Sequence, residues 1–322
     1  MKIVYCVHKS IGVFPHMLPY FKKYGGLIFT TDINTALRLY NEYPKAQITV
    51  DLMEVLQYKP DIMMYGDYTP IYQTLAKKVM VFHSIDLKGY YAIKRDWNAC
   101  EEYDLCLLYG KKVLKEFEAN DWKLKYEIIG YPRFDNIPNI PKLFKNDKKT
   151  ILVAPTWSDE SLLKRFTDQI IELSKDYNII LKLHSLLGTP KDNNGEFLNK
   201  FKDSDTLHIY NNSDILPFMA QTDILLTDYS GVSCEYMKYD KPIIVCDPKI
   251  DLPKPDTWKV CKVCEDPSQL KTMVDEQLLN DDMKKERNEY FKKLVHQDEN
   301  YTATELGMKA MEKLVETDKN DK

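Results

Sequence analysis

Two histidines close two apolar runs in different halves of the chain. His83 follows Lys78-Val79-Met80-Val81-Phe82, and His184 follows Asn178-Ile179-Ile180-Leu181-Lys182-Leu183. Runs this rich in Val, Ile, Leu and Phe read as buried strands. A residue just past the carboxyl end of a parallel strand lies at the rim where open α/β sheets bind ligands. A neutral imidazole there can take a proton from a hydroxyl near neutral pH. His83 is therefore a candidate general base, with Asp86 or Lys88 to tune or position it. Lys182 lies two residues before His184 on the same face of its strand. That pair offers the charge-assisted hydrogen bonds a diphosphate needs. A rim residue satisfied by backbone groups is the plain alternative at both places.

The stretch Thr227-Asp228-Tyr229-Ser230-Gly231-Val232-Ser233-Cys234-Glu235 reads as a strand turning into a helix. Small Ser230 and Gly231 would leave backbone N–H groups open to an anion at the helix start. Glu235, one turn on, suits ribose hydroxyls better than phosphate. An ordinary capped strand–helix junction is the competing view. Pro155-Thr156 follows another strand, Ile151 to Ala154, and forms a further rim that can meet phosphate or base. Arg133, in Gly130-Tyr131-Pro132-Arg133-Phe134-Asp135, can clamp a phosphate bidentately or pair with Asp135 across a turn. Asp203-Ser204-Asp205 sits in a hydrophilic loop before a strand, and Cys261-Lys262-Val263-Cys264 is a single C-x-x-C; neither makes a persuasive metal site. There is no Walker loop, no G-x-S-x-G and no G-x-G-x-x-G, so hydride transfer and serine hydrolysis lack support.

These residues need a scaffold of strands and helices in alternation. The 322 residues fit two domains at roughly 150 residues each. An apolar content of 44% supplies two cores, and a net charge of −4 gives no reason to expect nucleic-acid binding. Strand-like runs cover Lys2–Val7, Leu27–Thr31, Asp61–Tyr65, Val79–Phe82, Leu105–Tyr109 and Tyr126–Ile129 in the first half. Helices are expected at Met17–Tyr24, Asp32–Tyr43 (capped by Asp32 or Asn34) and Lys111–Asn120. A proline-rich, charged segment from Asp135 to Lys149 reads as a linker. Beyond it, strands Thr150–Ala154, Ile179–Leu183, Leu207–Tyr210, Ile224–Thr227 and Pro242–Cys246 alternate with helices at Ser161–Lys175, Ile215–Gln221 and Val232–Lys238. A helical tail runs from Asp281 to Thr317. The expectation is an α/β protein of two Rossmann-like domains facing a central cleft, an N-terminal one over residues 1–148 and a C-terminal one over 149–322. No run reaches the roughly 20 apolar residues of a membrane span. The first residues enter a strand without a signal-like segment, and seven scattered cysteines suit reduced thiols, so a cytoplasmic setting is expected.

In order along the chain, the motifs resemble those of the CDP-glycerol glycerophosphotransferase family, the teichoic-acid primases and polymerases. His83-Ser84-Ile85-Asp86-Leu87-Lys88 resembles H-G-T-P-L-K, and Gly130 to Asp135 resembles G-x-P-R-N-D. Ile151 to Trp157 is similar to I-L-Y-A-P-T-[FW], and Leu181 to His184 to [LV]-[RK]-x-H. Thr227 to Gly231, followed by Asp240-Lys241-Pro242-Ile243, is similar to T-D-Y-S-S…D-K-P-[IV]. Ser84 stands for the usual glycine, Phe134 for asparagine, Gly231 for the second serine and Glu235 for a common aspartate. The resemblance implies a GT-B fold in which His83 deprotonates an acceptor hydroxyl. His184 and Lys182 would grip the donor diphosphate with Ser230 and Gly231, while Ser84, Lys88, Arg133, Pro155, Thr156 and Glu235 complete the donor site. It further implies a CDP-glycerol or similar CDP-polyol donor, a lipid-linked or glycan acceptor, release of CMP, and neither metal nor cofactor. Peripheral contact with the inner face of the cytoplasmic membrane is implied too; Tyr90, Tyr91, Lys94, Arg95 and Trp97 offer either such a surface or a core helix. A GT-B glycosyltransferase using a nucleotide sugar, and a non-catalytic binding module on the same fold, are the competing readings.

Overall fold

The computed structural model describes residues 1–8, 10–67, 74–85, 102–114, 123–187, 189 and 192–320. The chain divides into two compact units, Met1–Ile137 with Lys293–Lys322, and Pro138–Lys292. Each is built on a parallel sheet.

In the first unit the strands are β1 (Ile3–Cys6), β2 (Leu27–Phe29), β3 (Gln47–Thr49), β4 (Ile62–Tyr65), β5 (Lys77–Val81), β6 (Leu105–Leu108) and β7 (Tyr126–Ile128). Their spatial order is β3-β2-β1-β4-β5-β6-β7. β1, β4 and β6 are buried at every position, as expected of strands covered on both faces. The order reverses between β1 and β4, which makes the carboxyl ends of those strands the ligand-binding crevice of this topology. Helices Phe14–Tyr24, Ile33–Glu42 and Leu52–Tyr58 follow β1, β2 and β3. Asp32 caps the second of them, its Oδ2 accepting from the Thr35 N–H at 2.7 Å, and Asp51 caps the third by accepting from the Met53 N–H at 2.8 Å.

The second unit carries β8 (Thr150–Ala154), β9 (Asn178–Lys182), β10 (Leu207–Tyr210), β11 (Ile224–Thr227), β12 (Ile243–Cys246) and β13 (Lys262–Cys264), in the order β10-β9-β8-β11-β12-β13. The reversal here falls between β8 and β11, which pair in register from Ile151↔Ile224 to Ala154↔Thr227. Helix Leu163–Leu173 buries Phe166, Ile170 and Leu173 against Ile151, Val153, Ile179 and Leu181.

Several elements depart from the sequence expectation. The first helix begins at Phe14 rather than Met17, because a 3₁₀ turn over Ile11–Val13, capped by the Ser10 hydroxyl, feeds into it. β3 and helix Leu52–Tyr58 were not expected; three residues of strand carry too little periodicity to read. The tail is two helices, Lys284–Leu294 and Ala303–Asn320. Asp298 separates them by accepting from the Asn300 and Tyr301 N–H groups at 2.8 and 2.9 Å, a turn that competes with helix. The expected helix at Lys111–Asn120 is described only over 111–114.

The expected boundary at 148/149 also differs from the compact units, because residues from Lys293 onward fold back onto the first one. The contacts are intimate. A Cβ on Gly110 would lie 2.0 Å from the Leu294 carbonyl oxygen, and one on Gly130, at φ +81°, would lie 2.5 Å from that of His296. The His296 N–H donates to the Tyr109 carbonyl at 2.8 Å. Asp135 accepts from the Ala303 N–H at 3.2 Å, and from the Thr304 N–H and hydroxyl at 2.6 Å each. The last helix is thus capped by a carboxylate from a distant motif.

Candidate active site

His83 stands two residues beyond β5, half-buried. Its Nδ1 lies 2.9 Å from the Gly66 carbonyl oxygen, just past β4. A carbonyl only accepts, so Nδ1 carries the proton and a neutral ring keeps Nε2 as its basic nitrogen. Ser84 is half-buried beside it, whereas Asp86, Lys88 and the aromatic–basic segment around Tyr90 lie outside the described residues.

Arg133 is buried. It is 6% exposed in the 3₁₀ turn Pro132–Phe134. Its Nη1 donates to the Tyr131 hydroxyl at 3.2 Å and to His16 Nε2 at 3.4 Å. The Tyr131 hydroxyl also lies 3.2 Å from His16 Nδ1. The His16 ring meets that of His83 edge to face, with centroids 6.3 Å apart at 81°. The first unit therefore brings His83 and Arg133 together through His16, which sequence reading missed. His16 lies inside the apolar run Phe14–Leu18, where a lone histidine looks like core. The available signal was its place after β1, the strand that borders the crevice.

In the second unit, Pro155, Thr156, Lys182, His184, Ser230 and Gly231 all follow or end the adjacent strands β9, β8 and β11. The Leu186 N–H donates to His184 Nδ1 at 3.2 Å. The proton of a neutral His184 is therefore on Nε2, making that nitrogen a donor. Lys182 is 5% exposed, and its Nζ donates to the Leu183 carbonyl at 2.8 Å. Glu235 is buried within helix Val232–Tyr236, only five residues long. The Ser230 hydroxyl accepts from the Val232 N–H at 3.4 Å, and Gly231 has an ordinary helical φ of −66°.

Asp228 is the residue of this stretch with an unforeseen part. Fully buried, it accepts from the Thr156 N–H at 2.9 Å and the Leu162 N–H at 2.9 Å. The Thr227 hydroxyl donates to the Ala154 carbonyl at 3.0 Å. Together they tie the ends of β8 and β11, fixing the Pro155-Thr156 rim from beneath.

The minor candidates fall elsewhere. Asp203 and Ser204 organise the turn before β10, Asp203 accepting from the Ile209 N–H at 3.0 Å. Cys261 and Cys264 are free, buried thiols, pushed up by burial to about 12 and about 11. A groove lined by Phe144, Lys149, Asn178 and Asp223 lies at the amino ends of β8, β9 and β11, away from the motif-bearing edge.

Two parallel sheets with reversals at these rims define the GT-B class, and known proteins bear this out. The wall teichoic acid polymerase TagF superposes with a TM-score of 0.67 at 17% identity, over 98% of this chain and 90% of that one. Residues 71–255, more than half of the chain, match the model of the CDP-Glycerol:Poly(glycerophosphate) glycerophosphotransferase family. The chain belongs to that family. Among curated relatives, a teichoic acid poly(glycerol phosphate) polymerase of Staphylococcus epidermidis is 29% identical over 174 residues, 46% of this chain. A teichoic acid glycerol-phosphate transferase of Staphylococcus aureus is 30% identical over 141 residues, 36% of this chain. The matched segments span 23% and 33% of those two relatives.

Proposed function

We propose that this chain transfers glycerol phosphate, or a related polyol phosphate, from a CDP-activated donor to a hydroxyl of a teichoic-acid-like or other cell-surface glycan precursor. His83 Nε2 takes the acceptor's proton, the oxygen attacks the phosphorus that carries glycerol, and the bond from that phosphorus to CMP breaks. A new phosphodiester forms and CMP leaves. His184 Nε2–H and Lys182, with the rim at Thr156 and Ser230, hold the diphosphate and meet the charge that grows on the leaving phosphate. Glu235 belongs to the nucleotide side of this assignment.

The observation that carries the reading is the opposite tautomers of the two histidines. The Gly66 carbonyl makes His83 Nε2 an acceptor, and the Leu186 amide makes His184 Nε2 a donor. One suits a base and the other a phosphate ligand. Identifying the nucleotide released from CDP-glycerol, other CDP-polyols and UDP-sugars, each with candidate acceptors, tests it. CMP is expected; UDP released from UDP-sugars alone would establish the glycosyltransferase reading instead.

Among the described residues no helix is long and apolar enough to cross a membrane. We extend the proposal to a peripheral site at the inner face of the cytoplasmic membrane. Ile33, Leu37 and Tyr40, exposed by 68%, 57% and 47%, form a stripe along helix Ile33–Glu42 and support it. Flotation with lipid vesicles should recover the protein, and should recover less of an Ile33→Ser/Leu37→Ser variant; no flotation of either would refute this extension.

A further inference from the structure

We propose that His16 is a positioning residue that fixes the buried Arg133 cation and the ring of His83. The inference rests on the reading of His83 as the base. His16 sits in the first turn of helix Phe14–Tyr24 and is 5% exposed. Arginine only donates, so the 3.4 Å contact from Arg133 Nη1 makes His16 Nε2 an acceptor. The neutral ring then has its proton on Nδ1, directed to the Tyr131 hydroxyl at 3.2 Å. Both nitrogens are used, and a second proton would set two N–H groups against each other. Burial, the Arg133 charge and His83 all push the His16 pKa well below its ordinary value, in keeping with that geometry.

The groups around His16 come from three elements: Arg133 and Tyr131 from the Gly130–Asp135 motif, His83 from the β5 rim, and the helix that carries His16 itself. Its edge-to-face contact restrains the His83 orientation in which Nδ1 meets the Gly66 carbonyl. Gly130-Tyr131-Pro132-Arg133 and His83-Ser84, far apart in sequence, are thereby joined through a residue outside both.

Two variants test this. His16→Phe keeps ring bulk but removes both hydrogen bonds, and His16→Asn keeps one acceptor and one donor. For His16→Phe, kcat should fall roughly 10- to 100-fold, the scale of misplaced catalytic groups, with little change in KM for CDP-glycerol. His16→Asn should recover part of that loss. Independently of turnover, long-range ¹H–¹⁵N spectra of labelled histidines should show wild-type His83 protonated at Nδ1 and a mixture of tautomers in His16→Phe. If His16→Phe unfolds, His16→Asn is judged on the same spectrum and the same kcat. A variant that turns over normally, with His83 still protonated at Nδ1, would overturn the His16 role alone. Wild-type His83 protonated at Nε2 would instead overturn the base assignment, and this proposal with it.

Discussion

Which nitrogen of a histidine is basic depends on what the other one touches. His83→Gln should lower kcat by about 10²–10⁴, the usual contribution of a general base, while leaving the thermal midpoint nearly unchanged; turnover within a few-fold of wild type would exclude the role. Both rim histidines were legible in the sequence because each closes an apolar run. Their tautomers were not, since those depend on Gly66 O, 17 residues before His83, and on the Leu186 amide. Asp228 was visible as part of a motif, but its work on the Thr156 and Leu162 amides emerges only when β8 and β11 lie side by side. Asp228→Asn replaces a two-oxygen acceptor with one oxygen and an N–H facing other N–H groups. It should cost about 1–3 kcal/mol in urea denaturation. Acid should also weaken the fold through His8. Burial lowers its pKa from 6.5 to about 4, against the opposing pull of Asp67. The unfolded chain therefore binds this proton first, and stability falls as pH drops from about 6.5 toward 4. His8→Gln should flatten that part of the stability–pH curve; an unaltered slope would show that His8 does not contribute to it.

At the scale of elements, the continuously buried strands were the easiest to read, because parallel strands covered on both faces write unbroken apolar runs. Short β3 escaped notice for want of length. The Gly130–Asp135 motif was read as a phosphate clamp or a turn with an internal ion pair. In the fold Arg133 donates to His16, while Asp135 accepts at the start of helix Ala303–Asn320. A trans cap cannot be seen from local spacing when 168 residues separate it from the amide it serves. Asp135→Ala should cost about 1–2 kcal/mol by denaturant titration, as for loss of a strong N-cap. Gly110→Ala forces a methyl into the Leu294 carbonyl and should cost about 1–3 kcal/mol or more. A neutral result at both positions would mean that the C-terminal segment is not bound as described.

Across the whole molecule, two domains were foreseeable from length and from the alternation of strands and helices, but their membership was not. The first unit is left after Ile137, inside the segment 135–149 read as a linker, rather than at 148/149; nothing in the composition marked the way back at Lys293. Removal of residues 293–322 should unfold the first unit while Pro138–Lys292 persists as a protease-resistant core; limited proteolysis with mass spectrometry reads both fragments. The return of the chain also sets an order of manufacture. As the protein leaves the ribosome, the unit bearing His184 has all its residues once Lys292 emerges, and can fold at once. The unit bearing His83 is begun first and finished last, waiting for Leu294, His296 and Thr304 to seat against Gly110, Gly130 and Asp135. A nascent chain stalled just after Lys292 would therefore hold the unit bearing His184 in finished form and the unit bearing His83 still unassembled.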